Sequence, residues 1–350
     1  MITLEDIPDI VNCIEINSKK KNDKLIYWLG IHKLFELDHT ELFDLYFQQW
    51  IQAPKASEFY ETFTYKISII YQDPQHMSNF VRNALEKSLV VYEKFSGTNK
   101  RYELLDQFME MVLWCSYDWT SHPTLKIAGI ADVEVVILEI FDKHHRSDLS
   151  KFDERPFRRI FGKILDKFDS VFNRNKIKAN EADKMSRKSD VLIVLADMFK
   201  SLSPQKYPGF GFSWLELITS PKFMPNMLST VPECNTKQKW AKMYELFREL
   251  FSFLKENIYE NSAESPGLDK FYEGTLKTVT VVLHDFPEFF VLYYFHLVNT
   301  LPLYKTGNLR NMILAAFPKK YRMPDPKHEI KHINSTSKFA ILDYDAHLKM

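Results

Sequence analysis

Glycine is the first thing this chain lacks: 9 residues in 350. Tight turns, phosphate-cradling loops and strand corners lean on glycine, because only glycine takes positive φ without a steric penalty. Its scarcity excludes barrels and nucleotide folds and favours helices. Cysteine is scarcer still. Cys13, Cys115 and Cys234 lie far apart and form no CxxC pair, so neither a disulfide framework nor a cysteine zinc site is expected, and a reducing compartment fits. Charge excess is also missing, with 46 Lys plus Arg against 46 Asp plus Glu. A protein that holds nucleic acid through its phosphates carries a basic surplus, so the balance argues against direct nucleic-acid binding. The one basic cluster, Arg174, Lys176, Lys178, Lys184, Arg187 and Lys188, is interrupted by Glu181 and Asp183. It has no aromatic residue to stack on bases, so it reads as a solvated loop.

Long apolar runs are absent too. The most apolar stretch, residues 279–298, is broken by His284, Asp285, Glu288 and His296 and falls short of a membrane span. The N-terminus, MITLEDIPDIVN, is acidic and has no basic region of the kind that opens a signal peptide. Together these point to a soluble protein of the cytoplasm, with the nucleus also open, and to no membrane partner.

What is present is apolar and aromatic: 45% hydrophobic residues, 15% aromatic, 28 phenylalanines. Such a chain can bury a large core. Apolar residues recur at spacings of three and four. Met77, Phe80, Val81, Ala84, Leu85, Val91, Tyr92 and Phe95 make one stripe. Trp240, Met243, Tyr244, Phe247, Leu250, Phe251 and Leu254 make the clearest, with Asn235 and Gln238 placed for a capping box before it. The same periodicity predicts helices over 25–35, 40–52, 57–71, 102–119, 132–141, 157–172, 190–202 and 267–284, with shorter ones over 214–218, 289–297 and 309–316. Prolines punctuate them, among them Pro54, Pro74, Pro123, Pro204, Pro208, Pro221, Pro225, Pro266, Pro302, Pro324 and Pro326.

About a dozen helices with short connectors predict an all-α fold of HEAT-like stacked antiparallel helix pairs, an α-solenoid. No clean sequence repeat supports it; helix number and length do. The expected organisation is an N-terminal helical half over 1–172, a polar connector over 173–189, a C-terminal helical half over 190–326, and a thin tail over 327–350 that is truncated or flexible.

Three blocks in the C-terminal half carry a resemblance. They are LADMFKSLSPQKYPGFGFSWLELITSPKFMPNML (195–228), YEGTLKTVTVVLHDFPEFFVLYYFHLVNTLP (272–302) and LRNMILAAFPKKYRMPDP (309–326). In order and spacing they resemble the C-terminal part of the large scaffold subunit family of the CCR–NOT mRNA deadenylase complex. The resemblance covers 190–326 and is faint upstream, where FDERPFRRIFGKIL (152–165) fits best; Gly211 and Ser213 depart from the usual pattern. It implies a non-catalytic HEAT-like domain that binds a heterodimer of the second and the third or fifth NOT subunits. It also implies docking of short peptides from mRNA-binding repressors, in support of deadenylation, mRNA decay and translational repression.

The residues themselves give a plainer reading. Phe210, Phe212, Trp214, Leu215, Leu217 and Ile218 are expected in the core, and Pro208-Gly209 in a turn. Asp285 is expected to cap the helix opening at Pro287. His284–Asp285 is read as structural and not as a catalytic pair. Arg310, Asn311, Lys319, Lys320 and Arg322, around a short helix and turn, are the candidate partner contacts.

His328-Glu329-Ile330-Lys331-His332 is formally HExxH, a zinc-peptidase pattern. It sits in a polar tail without an apolar stripe. Ser335 and Lys338 stand where the extended motif needs glycine and histidine, and no glutamate follows to complete the ligands. Chance is the better account. With no GxSxG, P-loop or dinucleotide fingerprint, and Cys115 in an apolar helical setting, no catalytic residue, metal or cofactor is expected. A generic helical-repeat adaptor is the alternative function.

Overall fold

The computed structural model describes residues 74–94, 102, 105, 106, 109, 123–147, 151–172, 181–229, 235–260, 265–301 and 306–316. The chain divides into two compact units, Met1–Asp118 and Trp119–Met350. In the first, α1 (Pro74–Lys94) buries Val81, Ala84, Leu85, Leu89 and Tyr92, with Leu105 and Met109 also fully enclosed. The Tyr92 and Tyr102 rings meet at 5.4 Å. The helices expected over 25–35, 40–52 and 57–71 lie outside the described residues, as do the three cysteines.

The second unit contains α2 (Pro123–Ser147), α3 (Arg155–Phe172), α4 (Glu181–Ser201), a 3-10 turn (Pro208–Phe210), α5 (Gly211–Ile218) and α6 (Met224–Leu228). It continues with α7 (Thr236–Glu260), α8 (Pro266–Asp285), α9 (Pro287–Thr300) and α10 (Gly307–Ala315). No described residue is in a strand. Prolines break the pattern by starting helices: α1, α2, α8, α9 and the 3-10 turn each begin on one. Proline's fixed φ suits the first helical position, where its missing N–H is not needed.

The helices form two layers. α2, α4, α7 and α9 pack side by side in one, and α3, α5, α8 and α10 in the other. Within the first layer, neighbours run the same way at a fixed sequence offset. Asn235 Nδ2 donates to Asp190 at 3.4 Å, Lys242 Nζ to Asp197 at 2.6 Å, and Lys200 Nζ to Glu245 at 2.8 Å, each pair 45 residues apart. From α7 to α9 the order is kept by rings, Trp240 on Phe289 at 6.0 Å and Tyr244 stacked on Tyr293 at 4.8 Å. In the second layer Arg158 pairs with Glu216 at 3.1 Å, Asp166 with Lys222, and Phe212 with Phe271 at 5.6 Å. This is the architecture of stacked antiparallel helix pairs, and a 45-residue period lies in the HEAT range.

The two layers are joined by the second unit's core. Phe141 of α2 is ringed by Tyr207 at 4.9 Å, Phe157 and Phe210 at 5.0 Å and Phe152 at 5.5 Å. Trp214 of α5 is fully buried, and its Nε1 donates to the Phe199 carbonyl of α4 at 2.6 Å.

Four sequence expectations change here. Residues 181–189 of the expected connector are the first turns of α4, with Ser189 buried, and the compact units divide at Asp118/Trp119. The stretch had the look of a loop because charged residues dominate it. Phe212 is 49% exposed while its five companions are buried; it lies on the outer side of α5, where its ring covers Phe271. Asn235 does not form the capping box: its φ is 66°, and its amide reaches Asp190. Asp285 ends α8 rather than capping α9, and its carboxylate meets His284 Nδ1 at 2.6 Å. Phe286 takes the cap position of α9 with no side-chain bond.

Candidate protein-interaction surface

The final helices show why the three sequence blocks carry the residues they do. In Pro208-Gly209-Phe210-Gly211, a Cβ on Gly209 would sit 3.4 Å from both His145 Nε2 and Phe152, so the turn lies directly against α2 and the approach to α3. In Tyr272-Glu273-Gly274-Thr275, a Cβ on Gly274 would lie 3.0 Å from Leu215 Cδ2, tighter than most real contacts, so Leu215 would have to give by a few tenths of an ångström. Gly274 therefore lies where α8 packs closely on α5. Thr275 and Thr278 are buried and return their hydroxyls to the carbonyls of Phe271 and Gly274 at 3.0 and 2.9 Å, so both hydroxyls are met within α8.

Helix α9 differs from the others in having apolar residues nearly all round. Phe289, Phe290, Tyr293, Leu297 and Val298 are buried against its neighbours. Val291 and Phe295, one turn apart on the opposite side, are 36% and 59% exposed. A helix apolar on all sides is ordinarily enclosed. Leu314 of α10 and Val281 of α8 are also exposed, at 42% and 43%. The last three helices thus put four large aliphatic or aromatic side chains into solvent, where exposed apolar groups mark interaction sites when they are grouped. Sequence reasoning found α9 but not its free face; the signal was a run too apolar for a single stripe.

Of the candidate contacts, Arg310 and Asn311 lie on α10. Arg310 is half-buried and its Nη1 donates to the Val298 carbonyl at 3.1 Å, tying the start of α10 to the end of α9. Asn311 is exposed. Lys319, Lys320 and Arg322 lie outside the described residues, as does the HExxH segment at His328–His332. Among the described residues no group of three His, Cys, Asp or Glu side chains could hold a metal. No described helix is long and apolar enough to cross a membrane.

Three titration shifts lie on α2. Burial, followed by the nearby charge of Asp197, raises the carboxyl of Glu134 to about 7. Burial lowers His145 from its ordinary value, with Asp142 opposing and Arg146 assisting. Asp142 is lowered, first by the hydrogen bond from Tyr207.

Comparison with known proteins gives this architecture its context. Residues 175–347 match the family described as the CCR4-Not complex component Not1. Through these residues the chain is similar to the Not1 family. It is 24% identical over 308 residues to general negative regulator of transcription subunit 1 of Saccharomyces cerevisiae, covering 85% of this chain and 14% of that protein. The Schizosaccharomyces pombe protein of the same name is 27% identical over 263 residues, covering 73% and 12%. The CCR4-NOT transcription complex subunit let-711 of Caenorhabditis elegans is 27% identical over 229 residues, covering 64% and 8%. The chain thus spans a small part of the length of these Not1 relatives.

Two solved Not1 structures share the fold. The NOT1 superfamily homology domain of Chaetomium thermophilum aligns with TM-score 0.70 at 22% identity, over 85% of this chain and 57% of that one. A Not1 C-terminal domain in complex with Not4 aligns with TM-score 0.64 at 24% identity, over 84% and 58%. The all-helical stack read from periodicity is therefore the Not1 homology fold.

Proposed function

We propose that this chain is a non-catalytic scaffold segment of a CCR4-Not deadenylase complex that binds other NOT subunits, in support of mRNA deadenylation, decay and translational repression. The observation that carries the reading is the free apolar face of α9, Val291 and Phe295, on a Not1-like helical stack. Scaffolding needs rigid, extended helical surfaces and no reacting groups. A two-layer stack with in-register cross-links supplies the first. A Not1 domain of the same fold has been solved with Not4 bound, which supports subunit docking as the use of this one.

The partners we assign are the heterodimer of the second and the third or fifth NOT subunits, and short peptides of mRNA-binding repressors. The docking surface is the α9 face with Asn311 beside it on α10, extended by Lys319, Lys320 and Arg322. Arg310 contributes by holding α10 to α9. The cytoplasm is the assigned site of action, with the nucleus a second one. Within this reading, residues 190–326 form the partner-binding half.

Co-expression with the C-terminal regions of the second and third NOT subunits, followed by size-exclusion chromatography, tests the proposal. A stoichiometric three-chain complex is expected. A folded, helical chain that elutes alone in the presence of all these subunits and of Not4 would leave the family fold without the family's scaffolding role.

A further inference from the structure

Helix α2 is held to its unit by two contacts about three turns apart, and each places an ionisable side chain where charge is poorly accommodated. The first is at Glu134, half-buried beside the core residues Val133 and Ile137 of α2, a helix that packs on α4. No hydrogen bond or ion pair of the described residues reaches its carboxyl. The charge that acts on it from α4 is Asp197, a second carboxylate, already engaged by Lys242 of α7. Lys200 and Glu245 continue that chain of charges, Lys200 bonding Glu245 and Lys242 lying 3.8 Å from it. Glu134 meets like charge and apolar neighbours, so its neutral form fits the contact.

The second is at His145, 4% exposed, whose Nε2 has no hydrogen-bond partner. Its ring is enclosed by Phe152 at 4.9 Å, Tyr207 at 5.0 Å and Phe141 at 6.1 Å, with Gly209 closing over Nε2. Asp142 and Arg146 of the same helix are the charges that act on it. Asp142 is occupied, accepting from the Tyr207 hydroxyl at 2.7 Å and from Arg146 at 2.8 Å. On the approach to α3, the Asp153 carboxylate is held by Arg155 through two bonds of 2.8 Å, and Glu154 follows it. A proton on Nε2 would be a buried donor without an acceptor, so here too the neutral form fits.

We propose that α2 is docked by two side chains that must both be uncharged and that respond to protons in opposite senses, so that pH shifts the hold on the helix from one end to the other. The signs follow from which state takes up the proton. Glu134 binds its proton more tightly docked than free, so the α2–α4 contact weakens as pH rises from the ordinary carboxyl range to about 7, and is level above that. His145 binds its proton less tightly docked than free. The contact with the 207–210 turn therefore weakens as pH falls below the ordinary histidine value of 6.5. Acidification fastens the middle of α2 to α4 and loosens its C-terminal end; a return to neutrality reverses both.

Hydrogen–deuterium exchange of the whole chain between pH 5 and 7.5, expressed as protection relative to intrinsic rates, reads the two contacts separately. Protection of peptides spanning 130–139 is expected to fall with rising pH, by up to about tenfold per pH unit, the limit for one proton. Protection of peptides spanning 141–147 and 205–212 is expected to rise over the same range up to pH 6.5. Glu134→Gln should flatten the first slope and leave the second; His145→Phe should do the reverse. Asp197→Asn, on the exposed side of the contact, should shift the first slope to lower pH. Slopes of the same sign in both regions, or slopes unchanged by Glu134→Gln and Asp197→Asn, would overturn the proposal. The wild-type profile decides the first of these even where a variant fails to fold.

Discussion

Lys242 of α7 and Asp197 of α4 lie 45 residues apart in sequence and 2.6 Å apart in space, and the pairs on either side of them keep the same interval. An interval held over several turns means that the two helices are locked in register, not merely in contact. The pair itself is half-exposed, so the lock is worth little in energy. A double-mutant cycle with Lys242→Met and Asp197→Asn should give a coupling of about 0.2–1 kcal/mol in urea unfolding, shrinking as salt is raised. A larger, salt-insensitive coupling would mean the pair is more enclosed than its 28% and 49% exposures indicate.

Gly274 has little room for growth. Replacement by alanine gains about 0.5–1 kcal/mol of helix propensity but pushes a Cβ to 3.0 Å from Leu215, so the net change should be near zero or destabilising. Gly274→Leu should cost about 1–3 kcal/mol by overpacking the α5–α8 contact. Chemical denaturation of the two variants checks both, and a stabilised leucine variant would show that α8 can move away freely.

Val291→Asp and Phe295→Asp separate partner binding from folding. Both side chains face solvent, so helicity and unfolding midpoint should change little, within about 0.5 kcal/mol. Subunit capture should fall at least tenfold, because a charge would be desolvated at the centre of the contact. Pull-down alongside circular dichroism makes the comparison. Full binding by the Phe295→Asp variant would move the docking surface away from α9.

Arg310 and Asn311 are neighbours with different expected signatures. Arg310→Met removes the bond to the Val298 carbonyl and should cost about 0.5–1.5 kcal/mol of stability. Asn311→Ala, on the exposed side of α10, should leave stability unchanged and lower partner affinity alone. The two readouts, thermal unfolding and binding, should therefore diverge between adjacent positions.

Fold class was legible in the sequence, because helical spacing of apolar residues is a local property; the clearest stripe, from Trp240 to Leu254, became α7, while α2, equally long, showed only over 132–141. Helix ends were less legible. The capping residues expected at Asn235 and Asp285 were chosen from local preference, but the first is drawn to Asp190 and the second to His284. Register between helices was hidden, since no repeated motif marks it; it rests on single polar and aromatic contacts between unlike residues. The exposed face of α9 was hidden for a related reason. Apolar residues on both sides of a helix announce burial, and only the position of the neighbouring helices tells which side remains open. Of the candidate partner contacts, Arg310 bonds the Val298 carbonyl of its own chain, a tie between helix ends that sequence pattern does not announce.

The fixed interval between α4 and α7 also limits how such a chain can change in length. One residue inserted within α7 between Asn235 and Lys242 would turn every later side chain by about 100° about the helix axis. That single step would unpair Lys242 and Glu245 from their partners and carry Met243, Phe247 and Leu250 off the core side. Insertions are harmless only between helices, where they leave both faces as they were. Drift in such a protein is thus a matter of connector length and surface identity, while the count of residues inside each helix is held as strictly as any buried side chain.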